Sequence, residues 1–99
     1  MARLAFRPGL HDVNGVRMWF DAPVSGGSGG EYHMALGTYE ELELRYVVNR
    51  LPVGGGFVDV GAHFGYFSLA AAAGVGASGT VIAVEPTPSS ADALRRNVQ

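Results

Sequence analysis

The alternation of apolar and polar positions divides the chain into a lead-in and a βαβα block. Val13-Asn14-Gly15-Val16 sets an Asn-Gly pair between apolar residues. That is the signal of a type I′ hairpin turn, because both turn positions need positive φ. The strand after it is predicted at Val16–Phe20. Ser25 to Gly30 is a low-complexity Gly/Ser stretch and reads as a flexible surface loop. Thr38 to Leu51 predicts a helix. Thr38-Tyr39-Glu40-Glu41 fits a capping box, in which the Thr38 hydroxyl and the Glu41 carboxylate cover unpaired N–H groups. Tyr39, Leu42, Tyr46 and Val47 recur at helical spacing, Leu51 closes the stripe and Pro52 stops the helix.

The second half is more regular. Gly54-Gly55-Gly56 predicts a turn, and Phe57–Val60 a short strand carrying one acid near its end. Gly61 to Gly65 forms a tight loop. Tyr66 to Ala73 is rich in Ala, the best helix former, and Gly74, Gly76 and Gly79 end that helix. Thr80–Val84 is a second continuous apolar strand, terminated by Glu85-Pro86. Ser89 to Gln99 starts another helix, with Ser89 or Ser90 as its cap. Near-continuous apolar strands are the mark of parallel sheets buried on both faces. The fold class expected is α/β. Residues 1–36 form the lead-in with its hairpin and Gly/Ser-rich loop, and residues 37–99 the βαβα region.

Composition changes the picture mainly by exclusion. The 99 residues allow one small domain, with 47% hydrophobic and 16% charged positions. A net charge of -2 gives no basic surface for nucleic acid or an anionic membrane. Cysteine is absent, which removes disulfides, thiolate zinc sites and thiol nucleophiles. Every basic residue is Arg, so a Walker-type phosphate loop and a Schiff-base lysine are excluded as well. No His spacing predicts a metal site. His11 and His33 are expected in solvent, and Trp19 in hairpin packing. The longest apolar stretch, Leu69 to Val75, is far below the roughly 20 residues of a membrane span. The N-terminal apolar run is too short for a signal-peptide core. The expectation is a soluble, cytoplasmic chain.

The candidate chemistry lies in Val58-Asp59-Val60-Gly61-Ala62-His63-Phe64-Gly65, followed by Val84-Glu85-Pro86. In open parallel sheets ligands sit beyond the C-terminal ends of the strands, so both acids are expected to face one crevice. Gly61 permits a backbone shape and a close ligand approach that a Cβ would forbid, and Gly65 permits close packing of helix on strand. Glu85 lies about 20 residues beyond the loop, the usual distance for a carboxylate that accepts from ribose hydroxyls. The dinucleotide fingerprint needs a glycine where His63 stands, and Asp59 would repel a pyrophosphate. S-adenosylmethionine has no phosphate and carries an ammonium and a sulfonium that a carboxylate attracts.

With these residues in hand, Asp59 to Ser68 together with Ile82-Ala83-Val84-Glu85-Pro86 resembles motifs I and II of class I methyltransferases. More narrowly, the chain resembles the FkbM family. That family shows Gly-x-Tyr-Glu, then Asp-x-Gly-Ala-Asn-x-Gly, then a strand ending in Glu-Pro. Gly37-Thr38-Tyr39-Glu40 matches the first segment, and the resemblance spans roughly Gly37 to Gln99. It implies a Rossmann-like class I methyltransferase, of which this chain supplies the first βαβα portion, preceded by the β-hairpin and a helix.

Carried over by position, the resemblance implies S-adenosylmethionine bound by Asp59, Gly61, Ala62, His63, Gly65, Glu85 and Pro86. Asp59 would lie near the amino-acid end, Gly61 and Gly65 beneath the cofactor, with Ala62 and His63 lining the loop. Glu85 would hold the ribose hydroxyls and Pro86 would border the adenine. The methyl acceptor implied is a hydroxyl on a sugar or another small metabolite. His63 stands where the family has Asn. Imidazole can still donate a hydrogen bond, and it adds a pH dependence that an amide lacks. No catalytic base is assigned. Two parallel strands alone leave exposed edges and a bare apolar face. The rival expectations are therefore a non-catalytic remnant, a split half completed by a partner chain supplying strands, and an NAD(P)-binding oxidoreductase fragment.

Overall fold

Asn14 and Gly15 turn the chain with φ of 53° and 83°, as a type I′ turn requires. β1 (Gly9–Val13) and β2 (Val16–Phe20) pair antiparallel, with Val13 opposite Val16. The Asp12 carboxylate accepts the Gly15 N–H at 3.0 Å and tightens the turn. The computed structural model describes residues 9–20 and 40–99. The expected Ser25–Gly30 loop, His33, and the Gly37, Thr38 and Tyr39 part of the first family segment lie outside the described residues.

The remaining elements are α1 (Glu41–Val48), β3 (Gly56–Val60), α2 (Tyr66–Val75), β4 (Thr80–Val84) and α3 (Pro88–Asn97). β3 and β4 pair in parallel, with α2 as the crossover between them. The protein is thus α/β, with two two-stranded sheets and three helices among the described residues. One core joins the hairpin to the helices. Val13, Met18 and Phe20 pack with Leu44 of α1 and with Tyr66 and Ala70 of α2. Tyr66 is 2% exposed, and its hydroxyl accepts from the Asn14 amide at 2.7 Å.

α1 departs from expectation in both its start and its face. The residue before its first turn is Glu40, left-handed at φ 44°, and no side chain caps the helix. The Glu41 carboxylate accepts from Arg45 one turn on, at 2.6 Å, and the Thr38 end of the expected capping box lies outside the described residues. Leu44 is buried and Val47, Val48 and Leu51 are half-buried, so Val47 and Leu51 of the expected stripe are partly covered while Leu42 and Tyr46 are not. Leu42 is 78% and Tyr46 60% exposed. The partner decides the face, because Leu44 and Val48 line a hollow shared with Ala70 and Ala73 of α2. Tyr46 is covered from outside by the Arg50 guanidinium, 3.5 Å above its ring, a cation–π contact.

Smaller corrections follow the same logic. α2 runs through Gly74 to Val75, and Gly76 at φ 72° ends it. A Cβ on Gly74 would only touch Val48 and Leu51 at ordinary distance, so this glycine breaks nothing. α3 is entered from Thr87 with Pro88 in its first turn, where proline's missing N–H is no loss. Neither Ser89 nor Ser90 caps it, and Ser90 is buried. His11 is half-buried with its ring edge-on to Phe20 at 5.7 Å, not solvated. Trp19 is 40% exposed. Among the described residues the parallel strands are covered on one face only. Val58, Val60, Ile82 and Val84 point away from α2 and are between 48% and 79% exposed. Among the described residues no helix is long and apolar enough to cross a membrane.

Candidate functional site

The in-register pairing of Val60 with Val84 brings the C-terminal ends of β3 and β4 out of the sheet level with each other. The chain must leave β3 and enter α2 within a few residues, which demands unusual backbone. Gly61 has φ 79°, His63 54° and Gly65 99°. Glycine adopts this left-handed region freely, and His is among the few other residues enriched there. Asn is another, so the exchange of Asn for His63 relative to the FkbM pattern keeps a residue suited to that backbone.

The loop is tied to the end of β4 by its own amides. The Gly61 and Ala62 N–H groups both donate to the Val84 carbonyl, at 2.8 and 3.0 Å. The His63 N–H donates to Glu85 Oε1 at 2.9 Å. On the other side the Thr87 N–H donates to Glu85 Oε2, also at 2.9 Å. Glu85 is thereby gripped at both oxygens, from the loop and from the start of α3. These N–H groups, with that of Thr87 foremost and that of His63 next, hold its carboxyl below the usual glutamate range. The Thr87 hydroxyl adds a weaker hydrogen bond to the same carboxylate, which has about four acceptor sites in all.

The other expected residues fall into place around this grip. A Cβ added to Gly61 would meet nothing within 4 Å, so open space lies beside that residue. Gly65 works differently from expectation. A Cβ there would come within 2.9 Å of Leu94 Cδ1, so this glycine makes room for α3 rather than for the strand. Ala62 is buried, and its carbonyl accepts the Gly65 N–H at 2.9 Å. Pro86 is exposed. The His63 ring tilts against Phe64 at 4.0 Å, and its Nδ1 is buried without a hydrogen-bond partner.

Asp59 stands apart from this group. It lies on the helix-covered face of β3, and its Oδ2 accepts the Ser68 hydroxyl of α2 at 2.6 Å. Ser68 is 2% exposed, so the pair is anchored from within. Sequence reasoning missed Ser68, Thr87 and Asn97. Ser68 had a signal: a lone hydroxyl in an Ala-rich helix, in the turn after a strand that ends in an acid. Thr87 acts chiefly through its backbone N–H, with its hydroxyl as a lesser donor, and had none. Asn97 donates to the Phe64 carbonyl at 2.8 Å and accepts the Trp19 N–H at 2.6 Å.

An open groove of about 590 Å³ runs along β4 between α2 and α3, lined by Leu69, Val81, Ala83 and Leu94, with Glu85 at one end. Of the expected site residues it touches Glu85 alone. Its walls are mixed, with Ser68, Glu85 and Arg95 set among apolar side chains. Among the described residues no three His, Asp or Glu gather as metal ligands would.

No protein-family model matches the chain, and neither a curated protein nor a solved structure matches it. The resemblance to the FkbM methyltransferases rests on the motif residues themselves.

Proposed function

We propose that the chain binds S-adenosylmethionine at the C-terminal ends of β3 and β4. In this reading it forms the cofactor-binding portion of a Rossmann-like class I methyltransferase. The observation that carries the reading is the double backbone grip on Glu85 beside the open space at Gly61. A carboxylate fixed in that way presents its remaining acceptor capacity to a ribose diol without first losing rotamer freedom. The same hydrogen bonds weigh against NAD(P). Pyrophosphate binding uses free loop amides, and those of Gly61, Ala62 and His63 are already committed to Val84 and Glu85.

The residues fit a cationic adenosyl ligand. By the family resemblance Asp59, held by Ser68 on the helix-covered face of β3, would supply the carboxylate that attracts an ammonium or sulfonium. His63 and Pro86 border the nucleoside. When bound, the sulfonium supplies an electrophilic methyl group. The protein's part is to align the donor and keep water away, and proximity of this kind can carry most of a transfer reaction. The acceptor proposed from the family resemblance is a hydroxyl of a sugar or small metabolite. No residue is assigned as its base.

A second reading has its own observation. The bare Val58, Val60, Ile82 and Val84 face is what a split half, completed by another chain, would present. One titration addresses ligand choice. Calorimetry of the chain with S-adenosylhomocysteine and, separately, with NAD should show binding of the first and not the second. Glu85→Ala should weaken that binding by about tenfold or more, the worth of hydrogen bonds to a charged group. Binding of NAD alone would reverse the assignment.

A further inference from the structure

The hairpin and the loop meet through one side chain. In an antiparallel pair, residues alternate between exchanging backbone hydrogen bonds and turning their N–H outward. Counting from the Val13–Val16 pair at the turn, Trp19 turns its N–H away from β1. Asn97, the last residue of α3, accepts that N–H through Oδ1 at 2.6 Å. Its Nδ2 donates to the Phe64 carbonyl at 2.8 Å. Phe64 is also held by its ring, edge-on to Phe20 of β2 at 6.3 Å. The next residue back is His63, whose N–H reaches Glu85.

We infer that Asn97 is a positioning residue. It fixes the Phe64 peptide and so aims the His63 N–H at Glu85, making the shape of the loop depend on the docked hairpin. The ligand consequence rests on the proposed adenosyl site, whereas the loop consequence does not. Asn97→Asp is the informative variant. It keeps the acceptor for Trp19 and the size of the side chain, removes the donor to Phe64 and sets an oxygen against a carbonyl.

The test is residue-resolved amide exchange by NMR on the full 99-residue chain, paired with calorimetry using S-adenosylhomocysteine. In Asn97→Asp the His63 amide should exchange about tenfold faster, the worth of roughly one hydrogen bond, while Ile82 and Ala83 in β4 keep their rates. The dissociation constant should rise by a similar factor. Equal acceleration at every amide would mean a purely structural role and would overturn the inference, as would an unchanged His63 rate. If the wild-type chain binds no S-adenosylhomocysteine, the proposed function falls, and the exchange pattern still decides the role of Asn97. Should the variant not fold, the wild type supplies the answer: the Asn97 side-chain NH2 must exchange slowly, and fast exchange there refutes the bond to Phe64.

Discussion

The two faces of the β3–β4 pair have opposite fates. On one, Phe57, Asp59, Val81 and Ala83 are half-buried beside α2. On the other, Val58, Val60, Ile82 and Val84 stand in solvent. Composition runs against the outcome, since these four residues left in solvent are all apolar. What separates them is that α2, β2 and α3 pack into one body on the same side. The covered side also holds all the fixed polar chemistry, from the Asp59–Ser68 bond to the grip on Glu85. The acids are held where the chain supplies donors, and the apolar stripe lies where none of the described elements covers it.

The contrast can be broken most severely from the covered side. Tyr66→Ala removes a 2%-exposed ring and the partner of Asn14, and should cost about 3–5 kcal/mol in denaturant unfolding. A loss under about 1 kcal/mol would mean that the hairpin and α2 do not share a core. The bare face should behave in the opposite way. Val60→Thr with Ile82→Thr should change stability by no more than about 0.5 kcal/mol. It should also lower any concentration-dependent association seen by sedimentation, and unchanged association would place the contact elsewhere.

The smallest effect lies at the edge where the two faces meet. The folded carboxyl of Glu85 is held below its unfolded value. It therefore binds its proton less readily in the folded chain, and its contribution is present above the unfolded value of about 4.3. That contribution is lost as pH falls through the folded value. Glu85→Gln should flatten this part of the acid-side decline in stability, and an identical pH profile would show that the grip contributes nothing.

Local signals made much of this legible in the sequence. Asn14-Gly15 announced the hairpin, and the two apolar runs announced β3 and β4. Glu85-Pro86 marked a strand end. Features that depend on a distant partner were hidden. The buried stripe of α1 was only partly legible, at Val47 and Leu51 but not at Leu44, because its partner, the Ala-rich α2, has no periodic signal of its own to reveal which side it offers. The runs in β3 and β4 carry no mark of which face is covered, since residue type reports how apolar a strand is and not how many layers cover it; only the small number of strands pointed to a bare apolar face. Gly65 was credited to the strand, because Leu94 is far along the chain. The site residues were readable as a glycine loop and an acid. Their fastening was not, since it runs through the backbone amides of His63 and Thr87 and one side-chain amide at a helix end.

The bare face has one further property. Val58, Val60, Ile82 and Val84 are all β-branched. Such side chains have few χ1 options even in water, so they enter any contact already nearly frozen. Immobilising a long, supple side chain can cost up to about 2 kcal/mol, and these cost far less. The surface thus behaves as a rigid plate: a layer laid over it would gain the release of water and forfeit little side-chain motion.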